Sequence, residues 1–151
     1  RDLVRSRGLG DVYKRQPDQI ARYRGKISGP LLDRIDIQIE VPALPHQEML
    51  RPAQSESSDT IRERVETARL HQLARQGTRN AELSVAQIEE YCQLDTASNT
   101  LLERAMSQLD ISARAYHRIL KLARTIADLA GNQAILASHV AEAIQYRRMN
   151  R

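Results

Sequence analysis

Residues 35–41 hold a run of alternating apolar side chains that has no second copy downstream, and this constrains the fold more than any other feature. Ile35, Ile37, Ile39 and Val41 alternate with Asp36, Gln38 and Glu40, the period-two signature of a β-strand. Pro42 ends the run because it has no N–H to give to a ladder. A lone strand can neither pair its backbone nor bury an apolar face well. Whatever follows must therefore make its core from helices.

The downstream pattern is helical. Residues 43–57, with Pro45, Pro52 and a Ser-Glu-Ser-Ser cluster, read as a linker. Thr60-x-x-Glu63 reads as a capping box opening a long helix, with Ile61, Val65, Ala68 and Leu73 along one side and Gly77 as its stop. Ser84-x-x-Gln87 is a second capping box, and Ile88, Tyr91 and Cys92 share one side of the short helix after it. A third helix is predicted from about Thr96 to Asp110, with Leu101, Leu102, Ala105, Met106 and Leu109 as its apolar face. Ser112 caps the best-defined helix, where Tyr116, Ile119, Leu120, Ala123, Ile126, Ala127 and Leu129 precede Gly131. Ser138 is expected to cap the last, which runs through Val140, Ala143 and Ile144. Four to five helices on short loops predict a mainly α chain: a helical bundle preceded by one helix and one β-strand.

Composition narrows the function classes. A chain of 151 residues with 41% hydrophobic and 28% charged residues has material for a real core. No apolar run approaches the roughly 20 residues that cross a bilayer, and no signal-peptide pattern occurs, so no membrane partner is expected. Cys92 is the single cysteine and cannot form an internal disulfide, which makes a cytoplasmic setting the default expectation. The net charge of +4 points to nucleic acid only if it sits on the folded part. Residues 1–16, RDLVRSRGLGDVYKRQ, carry +3 of it. That leader has neither helical nor strand period; it is expected to be non-native, like translated adapter or read-end sequence, with a basic disordered tail as the alternative.

The usual chemical constellations are missing. His46, His71, His117 and His139 are dispersed, so no metal-ligand spacing is present. No nucleophile, triad or carboxylate pair stands out. Without Trp or Phe, the scattered tyrosines offer no stacking platform for single strands.

Two arginines remain. Arg34 follows the Gly29-Pro30 turn and precedes the predicted strand, a rigid mount for a guanidinium whose planar fork matches phosphate oxygens. On local pattern alone the plainer reading is a surface arginine paired with Asp33 or Asp36. Arg114 lies in the first turn of the Ser112 helix, where the helix dipole favours anions, so that Arg114 and the helix end could attract phosphate together. Arg114, Arg118, Lys121 and Arg124 also form a basic stripe. Its readings are a solvated face paired with Asp110 and Asp128, a nucleotide sensor using Arg114, or collective DNA contact. The apolar stripe on the same helix suits burial better than insertion in a DNA groove as a helix-turn-helix reader.

The surrounding sequence shifts these weights. From Pro17 to Val41, PDQIARYRGKISGPLLDRIDIQIEV closely resembles the end of the ATPase core in magnesium-chelatase-like AAA+ proteins, most of all the ComM/YifB type. Ile111–Leu129, ISARAYHRILKLARTIADL, resembles that family's helical lid. The resemblance implies a leader at 1–16, the C-terminal end of the AAA+ core at 17–42, a linker at 43–57 and the lid at 58–151. It implies that Arg34 is an arginine finger acting in trans on a neighbouring subunit's nucleotide, and that Arg114 is the second sensor, contacting ATP. ATP and Mg2+ are the implied cofactors and a hexameric ring the implied self-association. No Gly-x-x-x-x-Gly-Lys-Ser/Thr loop and no acidic magnesium-holding strand end occurs in the chain. A C-terminal fragment that cannot hydrolyse ATP alone is therefore expected, from a full-length ATP hydrolase. For the ComM type the implied partner is DNA, with branch migration during recombination in natural transformation. The alternatives are a metal-chelatase ATPase subunit that remodels a protein partner, and a non-catalytic helical module that binds DNA or protein.

Overall fold

Short polar side chains set most of the helix starts in the computed structural model, which describes residues 22–23, 25–43, 45 and 55–147. The chain divides into two compact units, residues 1–34 and 35–151. In the first, α1 (Gly29–Leu32) is a single turn with Pro30 near its start; Ser28 caps it, its Oγ accepting from the Leu31 N–H at 3.3 Å. The leader 1–16 lies outside the described residues. So do most of the helix expected before the strand and most of the linker 43–57.

In the second unit α2 (Ser58–Gln76), a 3-10 turn (Asn80–Glu82), α3 (Val85–Tyr91), α4 (Thr96–Leu109), α5 (Ala113–Leu129) and α6 (Ala137–Gln145) follow one another. The Ser84/Gln87 capping box forms as predicted, with bonds of 3.0 and 3.4 Å. Asp95 Oδ1 caps α4 by accepting from the Ser98 N–H at 2.7 Å, and hydrogen bonding from Ser98 holds the Asp95 carboxyl below its ordinary range. Gly77 (φ 73°) and Asp110 (φ 50°) end α2 and α4 in the left-handed region. Glu82 pins the 3-10 turn: it pairs with the Arg79 guanidinium and accepts from the Thr78 hydroxyl at 2.6 Å and the Arg79 N–H at 3.3 Å. Those bonds, the Arg79 side chain's first, lower its carboxyl pKa to about 2.

Two helix starts differ from expectation. The cap of α2 is Ser57, whose Oγ accepts from the Thr60 N–H at 3.2 Å, so Thr60 lies inside the helix rather than at its boundary. Ser138 does not cap α6. His139 closes that end from within the first turn, its Nδ1 accepting from the Leu136 N–H at 3.0 Å, which places the imidazole proton on Nε2.

The core forms around α5, which packs on α2, the 3-10 turn, α3 and α6, while α6 also meets α4. Ile119, Ala123 and Ala127 of α5 are fully buried with Val140 and Ala143 of α6, and Leu102, Ile88, Cys92 and Ile135 belong to the same cluster. Leu94 and Ile135 meet in an isolated parallel bridge. Full burial of a leucine, isoleucine or valine side chain contributes about 1.5–3 kcal/mol, so these contacts rather than helix propensity hold the unit together.

Two apolar patterns do not become core. Among the described residues no β-strand forms at 35–41; the side chains run from 37% exposed at Ile35 to 78% at Val41. The physical reason is the missing ladder partner, for no second extended segment lies alongside within the described residues. On α2, Ala68 and Gln72 are buried whereas Ile61, Val65 and Leu73 are exposed. Its first ten residues, Ser58–Thr67, are all exposed; burial begins at Ala68, in the half of α2 whose Arg75 reaches α5.

Candidate functional site

The apolar arc of α5 decides where its basic residues go. Ser112 Oγ accepts from the Ala115 N–H at 3.2 Å and fixes the first turn, and Ala115, Ile119, Leu120, Ala123 and Ala127 turn inward. Nine residues at about 100° each put Arg114 on the side opposite Ala123. Arg114 is exposed and has no hydrogen-bond or ion-pair partner among the described residues. No acidic residue sits in that first turn, so the helix dipole and the guanidinium add up to a local positive potential.

The rest of the stripe is engaged within the chain. Arg118 Nη1 lies 2.7 Å from Asp36 Oδ1, and Lys121 Nζ donates to the Ala81 carbonyl at 3.2 Å. Arg124 is 3% exposed, which corrects the reading of it as part of a solvated face. Its Nε donates to Asp128 Oδ1 at 3.1 Å, and its two terminal nitrogens donate to the Gln133 and Asn132 carbonyls, each at 2.7 Å. Charge on the edge of an apolar arc was the available sequence signal, because Arg124 and Asp128 flank Ala127 one turn apart.

Asp128 is the hub of a buried polar cluster that sequence reasoning did not find. Arg75 of α2 donates to both its oxygens, at 2.7 and 3.0 Å, and Asn80 Nδ2 donates to Oδ2 at 2.9 Å. Asn80 is held in turn by Gln72, whose Oε1 accepts from its N–H at 3.0 Å, and donates to Thr125 Oγ1 at 3.0 Å. Burial alone would raise the Asp128 carboxyl, but the bonds from Arg75 and Asn80 and the charges of Arg124 and Arg75 hold it below its ordinary range. Donors and acceptors match within the chain, so this cluster staples α2, the 3-10 turn and α5 together.

Arg34 belongs to the first unit. Its N–H donates to the Leu31 carbonyl at 3.0 Å, closing the turn after α1, and its side chain is exposed. Its mount is the end of a capped helical turn rather than the entry of a formed strand. Arg34 and Arg114 thus fall in separate units of the chain.

Among the described residues no group of three or more His, Cys, Asp or Glu side chains is placed to hold a metal ion, and His46 lies outside them. Cys92 is buried, and burial pushes its thiol up to about 11, against the opposing charges of Arg124 and Arg75. No helix among the described residues is long and apolar enough to cross a membrane.

Comparison with known proteins places this architecture. Residues 55–147 match the family model described as magnesium chelatase, subunit ChlI C-terminal. The chain belongs to the magnesium chelatase-like family. Residues 8–49, a span that begins within the leader, match the companion model, magnesium chelatase, subunit ChlI. The chain is 46% identical over 143 residues to competence protein ComM of Haemophilus influenzae, an alignment covering 94% of this chain and 28% of the relative. It is 39% identical over the same shares to protein YifB of Escherichia coli. A Mycobacterium tuberculosis protein of uncharacterised function is 34% identical over 131 residues, 84% of this chain and 26% of that protein. The chain thus spans little more than a quarter of the length of the relatives it matches.

Proposed function

We propose that this chain is the C-terminal part of a ring-forming AAA+ ATPase whose ATP turnover drives branch migration of DNA during recombination of incoming DNA. In this reading Arg34 is the arginine finger, reaching the nucleotide of the neighbouring subunit, and residues 58–147 are a lid in which Arg114 is the second sensor. ATP and Mg2+ are held mainly by loops elsewhere in the longer protein, the assembly is a hexamer, and it works in the cytoplasm. The observation that carries the reading is that the Arg114 side chain has no partner among the described residues. Three of the four stripe cations are engaged inside the chain, and the one left facing solvent occupies the capped helix end where a phosphate is best received.

That same observation weighs against the non-catalytic DNA-binding module. Counterion release needs several cations free to meet phosphates, and here three are committed. The chelatase-type reading, an ATPase subunit that remodels a protein partner, draws on the description of the two family models and keeps the same roles for Arg34 and Arg114.

The test uses the longer protein that contains this segment. An arginine finger is worth about 10³–10⁵ in turnover. Arg34→Ala is expected to lower ATP turnover at least about a hundredfold, while a fluorescent nucleotide still binds within a few-fold of the unaltered affinity. Arg114→Ala is expected to weaken the link between nucleotide state and turnover. Turnover retained in Arg34→Ala sinks the finger. A four-way DNA junction that neither stimulates turnover nor is migrated by the active ring moves the reading to the chelatase-type client.

A further inference from the structure

Residues 35–41 expose their apolar side chains, so hydrophobic burial is not what attaches this segment to the rest of its unit. Two arginines from different elements converge on Asp36: Arg118 of α5 at 2.7 Å and Arg147, just beyond α6, at 3.8 Å. The Arg147 side chain is 8% exposed and that of Arg118 29%, so both charges are partly shielded from water and feel the carboxylate more strongly than a surface pair would. Two residues on, the Gln38 N–H donates to the Tyr146 carbonyl at 3.0 Å, an orphan acceptor at the C-terminal end of α6. Carboxylate and amide thus tie one short segment to α5 and to the end of α6.

We propose that Asp36 is a positioning residue, latching the segment that follows Arg34 onto α5 and the end of α6. The inference rests on the reading of Arg34 as a trans-acting finger. From Asp36 back to Arg34 the chain is two residues, a reach of at most about 7 Å. On α5 the latch partner Arg118 stands one turn, about 6 Å, from Arg114. The Arg118–Asp36 pair therefore joins the sensor-bearing helix to the residues that directly follow Arg34 in the chain. With the latch open, the finger's attachment point would no longer follow the helix.

The first arm of the test is amide hydrogen exchange in this chain. Asp36→Asn is expected to speed exchange at Gln38 at least about fivefold, with the amides of Ile119 and Ala123 unchanged; Asp36→Glu is expected to restore much of the protection. Salt at about 1 M should have the same effect on the unaltered chain, because the carboxylate is half exposed and screened. Unchanged exchange at Gln38 in Asp36→Asn overturns the latch. The second arm is turnover in the longer protein, where Asp36→Asn is expected to lower kcat severalfold with KM for ATP kept. If Arg34→Ala abolishes turnover while Asp36→Asn leaves it intact, the positioning role falls and the finger stands. If Arg34→Ala retains turnover, the finger falls whatever the exchange result.

Discussion

The segment 35–41 and helix α5 both show an apolar face in the sequence, yet only α5 finds its partners in the chain. Helix α5 packs on α6, α2 and α3 with Ile119, Ala123 and Ala127 fully buried, and even the charged edge of the helix closes on itself through Asp128. Ile37 and Ile39 of the extended segment face solvent, and the contacts that hold that segment are polar. Periodicity reports which face of an element is apolar. Whether the other half of the interface is encoded nearby is a separate matter, and a helix answers it more easily because its backbone is satisfied internally while a strand's is not.

The contrast is sharpest at Asp128. Removing one partner of a buried charge group leaves the others uncompensated and typically costs about 3–5 kcal/mol. Asp128→Ala, which strands Arg75 and Arg124, is expected to lose that much in urea unfolding followed by circular dichroism, whereas Asp36→Ala is expected to lose less than about 1 kcal/mol because the Asp36 carboxylate is itself half exposed to water. Acid should act on the same hub. The Asp128 carboxyl titrates below its unfolded value, so its contribution is full above about pH 5 and is lost as pH falls through the unfolded value, about 3.9, toward the folded one. A loss below about 1 kcal/mol for Asp128→Ala would place the cluster with the surface pairs.

The apolar side of the contrast gives the next largest effect. Ile119→Ala should cost about 2–5 kcal/mol, since it opens a cavity at a fully buried site, while Ile37→Ala should stay within about 0.5 kcal/mol. Equal losses at the two positions would mean that residues 35–41 are as well packed as the core. The smallest expected effect is at the start of α5. Ser112→Ala removes the acceptor of the Ala115 N–H and should cost about 1 kcal/mol. A loss near zero would mean that packing alone fixes the helix end that presents Arg114.

Much of this fold was legible because it is written locally. The Ser84/Gln87 box, the Ser112 cap, Gly77 and Asp110 each act within four residues, so one stretch of sequence holds both partners of the bond. Burial was less legible. The stripe on α2 promised Ile61 and Val65 to the core, but the buried part of that helix begins at Ala68, and nothing within the helix says where contact starts. The charge cluster was the least legible part, since Arg75, Asn80 and Asp128 are brought together from positions up to 53 residues apart. For the candidate site, pattern and resemblance singled out Arg114, and only the fold separates it from Arg118, Lys121 and Arg124. The mount of Arg34 was misjudged because a strand was assumed to form, and among the described residues no ladder partner lies beside 35–41.

The exposed half of α2 has one further consequence. A ten-residue peptide such as Ser58–Thr67 would be a marginal helix in water, because the first turn must fix several residues for a single hydrogen bond. Here the turns from Ala68 to Gln76, fixed against α5 by Arg75 and against the 3-10 turn by Gln72, have already met that cost of nucleation. The exposed turns only propagate it, one hydrogen bond per residue, from the anchored end outward. Their helicity is borrowed: Ser58–Thr67 can unwind turn by turn from Ser57 and wind again without a new nucleus, while the core beneath Ala68 stays closed.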